Sequence, residues 1–298
     1  VHVLSRVEPH ASLAVALETT LLVHGVPRHA APSLLADLDA IIRKERAHPA
    51  LIGLVAGVPT VGMTKDELGS MLADRALPVP KAGPANLGPL IHAGANAATT
   101  VGATMEIAAA AGVRVFATGG LGGVHRTYAR RLDISADLAA LARYPVAVVS
   151  SGVKSLLDVE STREALETLG IPVIGFRTDR FPAFYLRESD ADVDATFDDL
   201  ETLARFITRE LARAGRGIVV ANPVDPDHAI DPALWRSWLD QAESIAGPSA
   251  IGRDATPRIL DALHTVSGGR TLDTNLELVK SNARLAASLA WEMHRLEA

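Results

Sequence analysis

Cysteine is absent from all 298 residues, so disulfides, thiolate catalysis, zinc ribbons and iron–sulfur clusters are excluded. There is no run of lysines or arginines, and the formal net charge is -6. A nucleic-acid polymer needs a basic footprint for its phosphates, which excludes it as a partner. A nucleotide-sized ligand needs only one or two cations and stays open. No apolar stretch approaches the ~20 residues of a membrane span, and no charged-then-apolar leader opens the sequence. A soluble, cytoplasmic protein is expected.

What is present is largely apolar. Hydrophobic residues make up 48% of the chain and charged ones 21%, enough for a large core and too apolar for disorder. Short β-rich runs alternate with helical patterns. Residues 13–17, 51–55, 113–117, 146–149, 171–175 and 218–221 read as buried strands. A helix is expected with Leu34, Leu35, Leu38, Ile41 and Ile42 on one face, and Thr64-Lys65-Asp66-Glu67 reads as a capping box opening another. Further helices are predicted over 104–111, 135–143, 161–169, 257–263 and 276–296. Trp235, Trp238 and Trp291 lie in helical segments and are expected to pack in a core or interface.

Continuous apolar strands between helices predict an α/β fold of three layers, a mostly parallel central sheet covered on both faces. No low-complexity linker divides the chain, and the polar stretch 225–232 does not read as a boundary. One domain over 1–298 is expected.

Several groups carry possible chemistry. The glycine-rich run Thr118-Gly119-Gly120-Leu121-Gly122-Gly123 follows a strand and suits either a tight turn or an anion. It matches neither the dinucleotide fingerprint nor a P-loop. Ala98-Thr99-Thr100-Val101 precedes an apolar helix, either as an ordinary cap or as an anion site. Asp133-Ile134-Ser135-Ala136-Asp137 follows the basic pair Arg130 and Arg131 and offers oxygen ligands for Mg²⁺ or Mn²⁺; helix capping is its plainer role. His125 lies nearby without a second histidine at ligand spacing.

Lys154 ends Val148-Val149-Ser150-Ser151-Gly152-Val153-Lys154, where emergence from a buried strand would desolvate its amine and suit it to imine chemistry; snorkelling to solvent is its plainer role. Glu18 interrupts the apolar run 13–23. A buried carboxylate there must be paired or act as an acid, whereas a position near a strand end would simply face solvent.

Together these segments resemble the pseudouridine-5′-phosphate glycosidase family, the indigoidine synthase A-like proteins. The resemblance runs from Val15 to about Ala290 and is carried by Ala16-Leu17-Glu18-Thr19-Thr20 with His24-Gly25, Ala98-Thr99-Thr100-Val101, Phe116-Ala117-Thr118-Gly119-Gly120-Leu121-Gly122-Gly123-Val124-His125-Arg126, Asp133-Ile134-Ser135-Ala136-Asp137-Leu138, Gly152-Val153-Lys154-Ser155-Leu156-Leu157-Asp158 and Val220-Ala221-Asn222-Pro223.

The resemblance implies cleavage or formation of the carbon–carbon bond between C1′ of ribose 5-phosphate and an aromatic carbon. It makes Lys154 the nucleophile that forms an imine with C1′, and Glu18 the proton donor. Lys81, Thr100, Val101, Thr118, His125, Ser135, Ala136, Asp137 and Asn275 become substrate contacts, and Asp133 a Mn²⁺ ligand. Family members are typically homotrimers.

Two departures stand out. The family usually continues after its Lys81 counterpart with Ser-Arg-Arg-Asp, where this chain has Ala82-Gly83-Pro84-Ala85. Gly94-Ala95-Asn96-Ala97 has alanine where many members carry lysine. These changes touch the aromatic partner more than the sugar chemistry. They bring in a second reading, C-ribosylation of an aromatic polyketide as in alnumycin biosynthesis. Two other classes are weighed: a sugar kinase, in which Lys154 would be dispensable, and a non-catalytic ribose-phosphate binding protein.

Overall fold

The computed structural model describes residues 2–73, 78–126, 132–246 and 255–297. In the first half run β1 (Leu4–Ser5), β2 (Ala14–Glu18), α1 (Thr19–His24), α2 (Ala31–Lys44), β3 (His48–Val55), β4 (Val58–Val61), α3 (Lys65–Leu72), β5 (Lys81–Ala82), α4 (Leu87–His92), β6 (Ala97–Thr99), α5 (Val101–Ala110), β7 (Val115–Ala117), β8 (Val124–His125) and α6 (Ala136–Arg143). Then follow β9 (Ala147–Ser150), β10 (Leu157–Asp158), α7 (Val159–Thr168), β11 (Val173–Phe176), β12 (Ala195–Phe197), α8 (Leu200–Ala214), β13 (Ile218–Ala221), α9 (Pro232–Ala246), α10 (Ala255–Val266) and α11 (Arg270–Glu297).

The main sheet has the order β1-β4-β3-β2-β7-β9-β13-β11-β12, with β6 and β5 attached beside β3. Neighbours from β3 through β12 are parallel, whereas β4 and β6 run antiparallel to β3. Helices α2, α8 and α11 cover one face with Leu34, Leu38, Ile42, Leu203, Ile207, Leu278 and Leu289. Helices α5, α6 and α7 cover the other with Met105, Ile107, Leu138, Leu141 and Leu166. This is the expected three-layer α/β/α architecture. Each fully buried leucine or isoleucine contributes about 1.5–3 kcal/mol relative to exposure, so both faces hold the sheet.

Local signals explain the element ends. Thr64 accepts from the Glu67 amide while the Glu67 carboxylate accepts from the Thr64 amide, the reciprocal pairing the sequence predicts. Asp199 caps α8 through the Thr202 amide, and Gly215 ends it at φ 62°, a left-handed conformation that glycine adopts without strain. Trp235 and Trp238 are buried in the core, with Trp235 against Tyr185; Trp291 is half-buried beneath the Arg46 guanidinium.

Some boundaries move. The apolar run 13–23 is one strand and one helix, because β2 stops at Glu18 and α1 starts at Thr19. The helix expected at 104 begins at Val101, and the one expected at 276 begins at Arg270. Among the described residues no helix is long and apolar enough to cross a membrane.

Candidate active site

In the sheet the chain steps from β2 to β3 on one side and later from β7 to β9 on the other. The carboxyl ends of β2 and β7 therefore flank a topological switch point, where open α/β sheets form their crevices. Register fixes what meets there. Leu17 pairs with Ala117, and Ala117 with Val149. One residue further on, Glu18 and Thr118 lie side by side at the strand ends.

Glu18 is buried at 3% exposure, so the solvent-facing alternative is overturned. Both carboxylate oxygens accept hydroxyl hydrogen bonds. Thr118 Oγ1 donates to Oε1 at 2.6 Å, and Thr20 Oγ1 donates to Oε2. Two donated bonds largely satisfy a carboxylate that burial would otherwise penalise. Thr118, expected to meet substrate, spends its hydroxyl on Glu18.

The pairing of β7 with β9 continues past the strand ends. The Ser151 amide donates to Gly119 O at 3.0 Å, the Leu121 amide to Gly152 O at 2.9 Å and the Lys154 amide to Leu121 O at 3.1 Å. Ser151, Gly152 and Val153 are buried, whereas Lys154 is exposed. The desolvation expected from its strand position is absent. Its charge nonetheless acts on Lys81, the first residue of β5, which register brings to Ala98 and thence to Gly53 beside Ile52, the partner of Glu18.

Lys81 exposes much of its surface, yet protein around its ammonium holds it below the ordinary lysine value; the Lys154 charge lowers it further, and Glu18 opposes both. His24, at the end of α1, is also held below its ordinary value. Burial is the larger cause and Lys81 the next, opposed by a hydrogen bond to the Val79 backbone. Glu18, Lys81, Lys154 and His24 thus form one electrostatic cluster built from well-separated segments.

The glycine-rich loop is shaped for packing. Its amides at Thr118, Leu121 and Gly122 already donate to Val149 O, Gly152 O and Asp137 Oδ2, which removes them from any anion. A Cβ on Gly122 would stand 2.3 Å from Ser135 Oγ and 2.6 Å from Asp137 Oδ2, and one on Gly120 would meet the Phe184 ring at 2.5 Å.

Asp137 is buried at 5% exposure. Its Oδ1 accepts from the Gly102 amide at 2.9 Å and its Oδ2 from the Gly122 amide at 3.0 Å. It ties the start of α5 to the loop, so the two carboxylates of 133–137 do not converge on a metal. Ser135 caps α6 by accepting from the Asp137 amide at 3.2 Å, and Ala136 opens that helix. Thr100 precedes α5 without a side-chain capping bond and Val101 begins it, buried. With the Gly102 amide taken, the free end of α5 is smaller than the sequence suggested.

Asp133 keeps 38% of its side chain exposed, with His125 Nδ1 3.9 Å from its Oδ2. Among the described residues no group of three or more His, Asp or Glu is placed to hold a metal. One exposed carboxylate fits a Mn²⁺ or Mg²⁺ ion that keeps most of its water, not a protein cage. Arg130 and Arg131 lie outside the described residues. Asn275, on α11, is buried at 7% exposure. Its Nδ2 donates to Gly25 O at 3.3 Å, while its buried Oδ1 has no hydrogen-bond partner among the described residues.

The sequence reading missed Asn282, also on α11 and fully buried. Its Nδ2 donates to Thr118 O at 2.8 Å and Ser151 Oγ at 3.1 Å, and Asn222 Nδ2 donates to its Oδ1 at 2.9 Å. Nothing in the helical pattern marks one asparagine among several; its partners sit just past strands far away in sequence. Two grooves, of about 410 and 260 Å³, lie elsewhere, at Phe197–Phe206–Arg209 and at Arg6–His48–Lys65. Neither touches Glu18, Lys81 or Lys154.

Comparison with known proteins agrees with this fold. The family described as "Indigoidine synthase A like protein" matches residues 4–292. A "Pseudouridine-5'-phosphate glycosidase" of Saccharopolyspora erythraea is 42% identical over 94% of this chain and 92% of its own. One of Escherichia coli is 41% identical over 95% and 91%. Among solved structures, an indigoidine synthase A-like protein of Thermotoga maritima superposes with a TM-score of 0.88 at 35% identity, covering 97% of this chain and 96% of that one. The prealnumycin C-glycosynthase AlnA in complex with ribulose 5-phosphate superposes with a TM-score of 0.89 at 32% identity, covering 99% and 98%. The chain belongs to the indigoidine synthase A-like family.

Proposed function

We propose that this chain breaks or makes the carbon–carbon bond between C1′ of ribose 5-phosphate and an aromatic carbon. Its default substrate is pseudouridine 5′-phosphate, which would give uracil and ribose 5-phosphate. The observation that carries the reading is the convergence of Glu18, Lys81 and Lys154, from three distant segments, on one switch point. Relatives at 41–42% identity bear the pseudouridine-5′-phosphate glycosidase name.

A C-glycoside has no leaving oxygen to protonate, so the sugar must become an electron sink. Glu18 gives a proton to the ring oxygen as its bond to C1′ opens. The neutral amine of Lys154 adds to C1′. The bond from C1′ to the base then breaks, its electron pair staying on the base carbon, which takes a proton. C1′ is left as an iminium with Lys154, and water releases ribose 5-phosphate and the free amine. Run backwards, the steps join the sugar to an electron-rich carbon.

Lys81 pairs with the phosphate. Asn275 Oδ1 accepts from the base. Asp133 would hold a hydrated Mn²⁺, which when bound supplies Lewis acidity and ordered water. The protein acts in the cytoplasm as a homotrimer.

A second reading, C-ribosylation of a polyketide-type aromatic, is favoured by the loop after Lys81. Asn86 folds that loop on itself, accepting from the Gly83 amide at 2.7 Å and donating to Lys81 O at 3.0 Å. Ala82, Gly83, Pro84 and Ala85 offer an aromatic partner no polar side chain.

Borohydride reduction with ribose 5-phosphate should add a reduced pentose phosphate to Lys154, and Lys154→Ala should lose both label and turnover. Label elsewhere, or turnover surviving in Lys154→Ala, would overturn the mechanism in favour of a kinase or binding protein. Incubation of ribose 5-phosphate with uracil or with a naphthoquinone-type polyketide then separates the two acceptors.

A further inference from the structure

The two catalytic arms reach the crevice on different strands. Glu18 ends β2 and is oriented by Thr118, which follows β7; Lys154 lies four residues past β9. What holds these arms at a fixed spacing comes from neither strand. Asn282, fully buried on α11, donates through one nitrogen to Thr118 O at 2.8 Å, to Ser151 Oγ at 3.1 Å and, more weakly, to Gly119 O at 3.4 Å. Both carbonyls can only accept, which fixes the amide orientation. Its oxygen takes the Asn222 amide group at 2.9 Å, just past β13, and Asn222 also donates to Ser281 Oγ at 3.2 Å.

One side chain therefore joins the ends of β7, β9 and β13, at the points where Thr118 leads to Glu18 and Ser151 leads to Lys154. On its other side Ser151 O accepts the Phe184 amide at 2.8 Å, so Ser151 is clasped from both directions. Helix α11 packs against β2, β7 and β9, so its position is set by the core and passed to the site through this amide. A buried, satisfied network of this kind rigidifies what it joins.

We propose that Asn282 is a positioning residue for the reaction, holding the Lys154 amine and the Glu18 carboxyl at their working separation by bonding the Thr118 backbone and the Ser151 side chain together. The proposal rests on the roles given above to Lys154 and Glu18. Asn282 touches no reacting atom. Its contribution lies in kcat, since a displacement of about 1 Å at a reacting pair can cost about 100-fold.

The test compares wild type, Asn282→Asp and Ser151→Ala by steady-state kinetics and by borohydride trapping with ribose 5-phosphate. Trapping counts competent sites and also gives the rate at which each site forms its imine. Asn282→Asp keeps the acceptor for Asn222 and, at 3.4 Å, for the Ser151 hydroxyl, and loses the donor to Thr118. It should lower kcat about 10- to 100-fold with KM moved less than about threefold, while the number of trapped sites stays at the wild-type value and each traps more slowly. Fewer sites at an unchanged rate per site would mark a merely structural role and overturn the proposal, as would an unchanged kcat. Should Asn282→Asp fail to fold, Ser151→Ala, which removes one branch, must show the same split at smaller amplitude; no split there also overturns it. Absence of label on Lys154 in wild type would instead sink the imine reading itself.

Discussion

The Thr118 hydroxyl donates to Oε1 of Glu18 at 2.6 Å, across the ends of two adjacent parallel strands. Removing that hydroxyl while keeping the shape leaves a buried carboxylate oxygen short of a donor, which costs about 1–3 kcal/mol. Thr118→Val is expected to lose that stability in urea denaturation and at least about tenfold in kcat, part of the 10²–10⁴ that a positioned acid supplies. Thr118→Ser should recover most of both.

For Lys81, burial and the Lys154 charge hold the ammonium below the ordinary lysine value of 10.5. The unfolded chain then binds this proton more readily than the folded one. Stability rises with pH wherever the unfolded state holds more protons, so it should climb as pH passes from the lowered value toward 10.5. Lys81→Met removes this contribution. Denaturation midpoints across that alkaline window should rise less steeply in the variant; equal slopes would contradict the assignment.

Asp137 supplies two acceptors to two backbone amides, and an asparagine supplies one. Asp137→Asn should leave the Gly102 or the Gly122 amide facing an NH₂ group, at a cost of about 1–3 kcal/mol. Urea titration measures the loss, and KM for ribose 5-phosphate should rise as the loop and the start of α5 separate.

Asp133 gives a metal prediction. Chelator-treated wild type should regain activity with added Mn²⁺. Asp133→Asn should need at least about tenfold more metal for the same recovery, the low end of what altered metal shells cost. Equal titrations would remove Asp133 from the metal site.

Periodicity and capping gave much of the fold in advance. The buried face of α2, the Thr64–Glu67 box and the strand at Ile218–Ala221 are all local patterns and stand where expected. Glu18 was legible because a carboxylate inside an apolar run is itself an anomaly. Lys154 was located by motif, but not its exposure, since strand position does not say how far a side chain projects past the sheet edge. The glycine-rich loop allowed two interpretations until Phe184, Ser135 and Asp137, remote in sequence, filled the space a Cβ would need. Asn282 was invisible because its meaning lies in which carbonyls happen to face it. His24 stands in the sequence only as part of a motif, and its place beside Lys81 comes from the fold.

Helix α11 comes last in order of synthesis among the described elements, yet it lies against β2, β7 and β9. A chain emerging from the ribosome can pair those strands long before Arg270–Glu297 has been made. Until that helix docks, the ends of β7 and β9 lack their shared amide and the crevice beside them lacks Asn275. A chain that has not yet reached that helix thus carries Glu18 and Lys154 on strands whose ends are still unbraced.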